Sequence, residues 1–402
     1  MKKLFSFLCV ILLSFVLFLT TGCGKEMDNK APVSKEDIKI GLICLHDESS
    51  TYDKNFIDSM VRAVKNLGLS EDQLEIYTDV PEGQKCYQTA VLLAKTCNVI
   101  FADSFGHEDY MIQAAKKYPN VNFSHATGTK AHTENLYNYA NAFAAIYEGR
   151  YLAGVAAGMK LNEMIEKGDI TASQAKIGYV GAYPYAEVKS GYTAFYLGAK
   201  SVCPTVTMDV RFTADWYSYD KENAACKALI NGGCVLISQH ADSYGAPEAC
   251  ERAGIFNVTY NGTTESQCPN TYLISSKIDW TPYYEYAITQ TLKGEQIATD
   301  WTGTIATGSV KLDAPGKNAT VGTQEAIDAI IAKFASGELH VFDTNTFTVK
   351  GEKVTTYLAD VDDFGDYKGE TEVIIDGYFN ESVFRSAPVF DLDIDGINLI
   401  ND

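Results

Sequence analysis

Basic residues are in short supply. The chain has 33 Lys and Arg against 52 Asp and Glu, a formal charge of −19 at pH 7. A phosphate backbone needs a basic face, so this balance excludes nucleic acid as a partner. It also speaks against anionic lipid surfaces and polyanionic substrates. Histidine is scarce, at six residues. The spacings that usually carry chemistry are absent too. No CxxC pair supports a zinc or thioredoxin-like site. There is no GxGxxG after a strand, no GxxxxGK[ST], no HExxH and no GxSxG. Neither His107 nor His240 has a Ser or Cys at a recognised catalytic spacing. No catalytic residue, metal site or cofactor is therefore expected. After residue 23 no apolar run reaches the ~20 residues of a membrane span.

What the chain does have begins with an address. Lys2 and Lys3 precede an apolar run over 4–19 and the sequence TTGC at Thr20–Cys23. This reads as a signal peptide over 1–22. Its ending is similar to a bacterial lipoprotein signal, with Thr20 where Leu is commonest. Cys23 would become the lipidated residue, and 23–37 a polar tether holding the protein at the extracytoplasmic face of a cell membrane. Eight further cysteines lie in the body. An exported location permits disulfides; buried free thiols are the alternative.

From residue 38 onward, short β-rich runs alternate with helical ones. IKIGLICL (38–45) reads as a buried parallel strand, and FIDSMVRAVKNLG (56–68) as a helix with a Gly stop. Two more strand–helix passages and a fourth strand complete a βαβαβαβ lobe over 38–135. The run 141–160, rich in Ala and Gly, reads as one long helix opening a second lobe over 136–272. Residues 273–300 return to the first lobe. A hinge with an associated helix and strand covers 301–349, and 350–402 is an acidic, irregular extension. The expected fold is α/β, two doubly wound parallel-sheet lobes joined by a hinge, with ligand bound beyond the strand ends.

The residues after those strand ends form a biased set. The first lobe offers His46, Asp47, Glu48, Tyr52 and Phe56, then Asp103 to Asp109. The second offers Tyr183, Tyr185, Asp215, Trp216, Gln239, His240, Asp242 and Asn261, and Lys277 follows the crossing strand. Carboxylates and amides suit a neutral hydroxyl-rich ligand; aromatic faces suit a flat ring. A nucleoside or a sugar fits both. The bland alternatives are helix capping for the acids and core packing for the aromatics. DLDIDG (391–396) also opens like a calcium loop, but no Glu stands at its twelfth position. An exposed acidic tail is the simpler account.

The runs YDKNF, FADSFGHEDYMIQAAKKYPNVNFSHATG, IYEGRYLAGVAAGM, IGYVGAYPYAEV, QHADS and SGELHVF together resemble the basic membrane protein (BMP) family of ABC-transporter substrate-binding lipoproteins. That group includes the purine nucleoside receptor A lipoproteins. The resemblance implies a type I periplasmic-binding-protein fold, no enzymatic activity, and an ABC permease as partner. It puts a base-stacking aromatic on Phe56, acids on Asp47 and Asp109, a second aromatic on Trp216 and a lysine on Lys277. Asn261 stands where the family has a ribose-holding Asp, and Ile57 where it has Asn. A nucleoside, purine favoured, is the implied ligand. Alternatives are a ligand-sensing receptor of the same fold, a sugar-binding protein, and a surface nucleoside or glycoside hydrolase.

Overall fold

The computed structural model describes residues 30–362 and 368–400; the leader and Cys23 lie outside them. The first sheet holds six parallel strands: β1 (Ile40–Ile43), β2 (Leu74–Tyr77), β3 (Val99–Ala102), β4 (Asn122–Ala126), β5 (Tyr139–Ala144) and β11 (Asp300–Gly303), in the order β11-β5-β4-β3-β1-β2. The second holds β6 (Lys176–Gly181), β7 (Thr207–Phe212), β8 (Leu236–His240), β9 (Phe256–Tyr260), β10 (Tyr272–Ile278) and β12 (Val310–Leu312). At its edges β12 pairs antiparallel with β10, and Ile397–Leu399 pairs parallel with β7.

Within each sheet five strands follow the same order, β2-β1-β3-β4-β5 and β7-β6-β8-β9-β10. This is a doubly wound arrangement in which the order reverses beside the first strand of each lobe. β1 and β3 are buried along their whole length. Helices cover parallel sheets on both faces, which is why these strands read as continuous apolar runs rather than alternating ones.

Three features differ from the sequence reading. Tyr139–Ala144 is a strand of the first sheet, and the helix α5 (Ile146–Lys167) begins only after it. Small alanines carry no period, so strand and helix looked alike there; burial between β4 and β11 decided the outcome. The first sheet therefore runs past 135. Next, β10 lies in the second sheet, while the helix after it, α9 (Thr281–Lys293), packs on α1 (Thr51–Asn66) of the first lobe. The chain crosses between lobes near 145, 279 and 304–309. Finally, SGELHVF forms no strand after α10 (Thr323–Ser336); Val341 and Phe342 are buried as coil.

The run IYEGRYLAGVAAGM is explained by packing. α5 lies against α6 (Ala186–Val202) at backbone contact: a Cβ on Gly154 would stand 2.0 Å from the Phe195 carbonyl oxygen, and one on Gly198 2.0 Å from that of Tyr151. Arg150 is fully buried. It donates to Ser238 Oγ (2.7 Å), Tyr179 Oη (3.1 Å), Ser276 Oγ (3.2 Å) and the Thr259 carbonyl (3.3 Å). Its guanidinium also lies over the rings of Phe195, Tyr260 and Tyr179 at 5.0, 5.1 and 5.5 Å.

Nor is the tail an irregular appendage. Phe390 stacks on Phe342 at 4.5 Å and meets Phe379 at 4.6 Å, inside the second lobe's core. Towards the first lobe, Ser386 donates through N–H and Oγ to Asp300 Oδ1, at 2.9 and 2.6 Å. The acids of DLDIDG diverge. Asp391 accepts from Tyr357, Asp393 pairs with Lys189 at 2.9 Å, and Asp395 accepts from Thr348, Lys350 and Gly351. A calcium loop needs them to converge. The eight body cysteines are buried free thiols.

Candidate functional site in the cleft between lobes

Both strand-order reversals face one space. It is lined by Leu45 and His46 after β1, Ser104 and Phe105 after β3, Thr127 after β4, and Tyr52 and Asp53 from α1. The second lobe contributes Glu187, Trp216, His240 and Asp242. The void left between these side chains is about 20 Å³, so a small molecule enters as the lobes part. Thr51 holds the lobes together across it, donating N–H and Oγ1 to the Asp242 carbonyl, both at 3.1 Å. His46 and Tyr217 bring rings to 5.3 Å on the same side.

The loop HDESSTYDKNF is built around a cap. Ser50 N-caps α1 by accepting from Asp53 N–H, and returns its hydroxyl to Asp53 Oδ2 at 2.5 Å. Asp53 Oδ1 accepts His46 N–H at 2.8 Å, and Oδ2 lies 3.4 Å from His46 Nδ1. Burial alone would raise the Asp53 carboxyl, but the hydrogen bonds from His46 and Ser50 outweigh it and hold the group low. For His46, burial lowers the imidazole, and Asp53's hydrogen bond and charge together raise it. The first lobe thus presents an ion pair already satisfied within its own loop.

Across the cleft the acids are less satisfied. Asp242 is buried, and its carboxyl is raised by desolvation, then by the charges of Asp53, Glu222 and Glu187, against a lowering from the Asn261 amide. Behind the first-lobe wall, Asp103 is raised by burial and by Asp53, and its Oδ2 has no hydrogen-bond partner. Cys44, Asp53 and Asp103 bring three donor atoms within 4.8 Å. Burial raises the Cys44 thiol, and both Asp53 oxygens are engaged by His46 and Ser50. His240 sits at 3.6 Å from Glu187 with its pKa lowered by burial. Thr127 Oγ1, at the cleft lining, is buried without a hydrogen-bond partner among the described residues, whereas His240 Nδ1 faces Gly191 of α6. Thr127 and Asn261 both hold φ of +64°, a region that a β-branched Thr adopts only under constraint.

Glu222, on α7 (Tyr219–Asn231), secures the loop after Asp242 by accepting the N–H groups of Ser243 and Ser218. Burial pushes its carboxyl up to about 7. The folded state therefore holds a proton that the unfolded state releases, and stability falls as pH rises from about 4.5 to about 7. The decline is about 3 kcal/mol in unfolding free energy. Glu222→Gln should remove it; urea unfolding at pH 5 and pH 8 checks the difference.

The expected site residues divide. Tyr52, Trp216, His240 and Asp242 line the cleft, and Asn261 lies beside Asp242. Phe56 does not line it: it is buried in the first lobe's core, stacked on Trp280 at 4.4 Å. Tyr52, one helical turn earlier on the same face of α1, packs on Phe56 at 4.8 Å and stands between it and the cleft. Asp47 is exposed and accepts from Ser49 within its own turn. Asp109 is exposed and pairs with Lys130 at 2.7 Å, while its neighbour Glu108 turns inward to accept the N–H groups of Thr129 and Lys130. Lys277 lies on β10 and pairs with Asp313 at 2.6 Å, away from the cleft. Asp53, Thr127 and Glu187 were not among the candidates, and Phe105 was one of the run after β3. Ser50 three residues before Asp53 was the one available signal, a capping pattern that turns the later acid inward.

Two lobes of identical strand order, three crossings and a polar, aromatic-edged cleft define a two-lobed solute-binding protein of the type I periplasmic class. The chain belongs to the family described as Bmp, ABC transporter substrate-binding protein PnrA-like, whose model matches residues 40–343. It is 32% identical over 355 residues to a purine-binding protein of Brucella abortus, covering 82% of this chain and 94% of that one. A Haloferax volcanii protein named as an ABC transporter glucose-binding protein, TsgA13, is 35% identical over 250 residues, 62% of this chain and 60% of that one. Among solved structures, a solute-binding protein of Aeropyrum pernix K1 superposes with a TM-score of 0.63 at 15% identity, covering 76% and 93%. One from Conexibacter woesei gives 0.61 at 17%, covering 75% and 98%. The family consists of substrate-binding proteins rather than enzymes.

Proposed function

We propose that the cleft captures a nucleoside, purine favoured, and that the chain is the lipid-anchored, extracytoplasmic receptor delivering it to an ABC permease. The observation that carries this reading is the lining itself: the carboxyl groups of Glu187 and Asp242 together with the rings of Tyr52, Phe105 and Trp216. Vicinal hydroxyls donate to carboxylates, and a flat base takes aromatic faces. A phosphate would meet three acids, so the unphosphorylated form fits and a nucleotide does not. The name of the Brucella relative points the same way.

Calorimetric titration with purine and pyrimidine nucleosides, free bases and simple sugars tests it. Tight binding of an intact nucleoside supports the reading, and binding of sugars alone overturns it. A sugar is the second reading, favoured by the name of the Haloferax relative. Trp216, whose ring meets Tyr183 edge-on at 5.1 Å, supplies the second lobe's stacking face. Trp216→Ala should weaken nucleoside binding by about 1–3 kcal/mol. Unchanged affinity in a folded variant would remove Trp216 from the site.

A further inference from the structure

We infer that the C-terminal segment adds a second compartment to the cleft, and that it receives a hydroxyl-rich extension of the ligand such as a glycosyl unit. This rests on the reading of the inner pocket given above. A cavity of about 290 Å³, open to solvent, adjoins the inner pocket and shares Phe105, Thr127 and Glu187 with it. Its outer wall is made by Asp360, Arg385, Pro388 and Asp391. All four lie beyond the 40–343 span matched by the family model, so the C-terminal segment supplies that wall while the two lobes supply the rest.

The wall is fixed in place. Arg385 is buried and donates to the carbonyls of Pro388 (3.1 Å), Ala387 (3.3 Å) and Val361 (3.3 Å). Those bonds use three of the five guanidinium N–H groups. Ser386 ties the same segment to Asp300 of the first lobe, and Ile397–Leu399 ties its end to the second sheet. A wall held by both lobes is part of the closed cleft.

The chemistry of the lining is that of a polar, uncharged ligand. Phe105 from the first lobe and Tyr185 from the second are 37% and 43% exposed, yet they stack at 5.4 Å across the cleft. Tyr185 in turn stacks on Tyr183 at 5.2 Å. Large rings left open beside a cavity mark a contact surface, and a sugar's C–H face packs on them. The charges nearby are of both signs and partnered: Lys189 holds the Asp391 carbonyl at 3.0 Å and Asp393 at 2.9 Å. Such a lining hydrogen-bonds hydroxyls without favouring an ion of either sign.

The test uses the whole protein and matched pairs of probes: nucleosides and monosaccharides, and the same compounds carrying one additional glucosyl unit. The glucosylated member of the bound pair should bind at least tenfold more tightly. Tyr185→Ala, which removes the ring stacked on Phe105, should reduce that gain to less than twofold. Ala186→Trp, which fills the compartment from the first residue of α6, should do the same while leaving the parent compound's affinity unchanged. Melting curves establish that both variants fold. Binding of the parent with no gain, or a gain that survives both variants, overturns this inference alone. No binding by any member of the panel overturns it together with the reading of the inner pocket.

Discussion

Asp242→Ala is expected to weaken ligand binding a hundredfold or more while making the ligand-free protein more stable. The carboxyl lies at the end of β8, buried, in the combined field of Asp53, Glu222 and Glu187. Unlike Asp53, which is consumed by His46 and Ser50, it is available to a ligand. Two ligand hydroxyls bonded to this carboxyl, with the penalty for leaving them buried and unpaired once it is removed, together amount to about 3 kcal/mol. The sign of the stability effect follows from the raised pKa. The folded state prefers the protonated acid, so stability falls as pH rises from the ordinary aspartate range through the raised folded value. Removing the group removes that loss, and the gain should be larger at pH 8 than at pH 5. The interlobe contact survives, because Thr51 bonds the backbone carbonyl of Asp242 and not its side chain. Titration calorimetry and melting without ligand measure both halves. Unchanged affinity in a folded variant would exclude Asp242 from the site.

Arg150→Ala is expected to destabilise the second lobe by about 4 kcal/mol or more. The substitution empties the space of a large side chain at the centre of the lobe, where truncations cost about 2–5 kcal/mol. It also strands the Tyr179 and Ser276 hydroxyls, and buried groups left unsatisfied cost about 1–3 kcal/mol each; Ser238 keeps its bond to the Val258 carbonyl. Arg150→Lys should recover little, since an ammonium does not reproduce a planar fork that bonds in several directions and lies over three rings. The tryptophans separate the lobes: Trp216 packs on the second core, and Trp280 and Trp301 belong to the first. In urea, the second-lobe transition should move to lower concentration while the first-lobe transition stays. Coincident, unshifted transitions would show that Arg150 is dispensable.

These two residues differ in how they could be read. Asp242 was legible because it follows a strand whose period and length were plain. Arg150 stood in the most specific stretch of sequence, IYEGRYLAGVAAG, yet nothing in a linear pattern shows that its partners come from four strands. The aromatics went astray for a simpler reason. Phe56 and Tyr52 lie a turn apart on one face of α1, so helical period alone could not say which of them would reach the cleft. Trp280, more than two hundred residues away, took Phe56 into the core. Asp47 and Asp53 show the same limit, since six residues separate an exposed turn acid from a buried cap.

By itself the sequence determined the absence of recognised catalytic motifs, the alternation of strands and helices, the duplication of the lobe, and the family. Each of these is written in local periodicity, in composition or in motifs, which a chain carries before it folds. Tertiary structure alone decided which sheet Tyr139–Ala144 joined, which acids faced inward, and that the tail would close over the cleft. Those outcomes depend on burial between segments distant in the chain. Small or mixed-polarity stretches of it take either environment until a neighbour arrives.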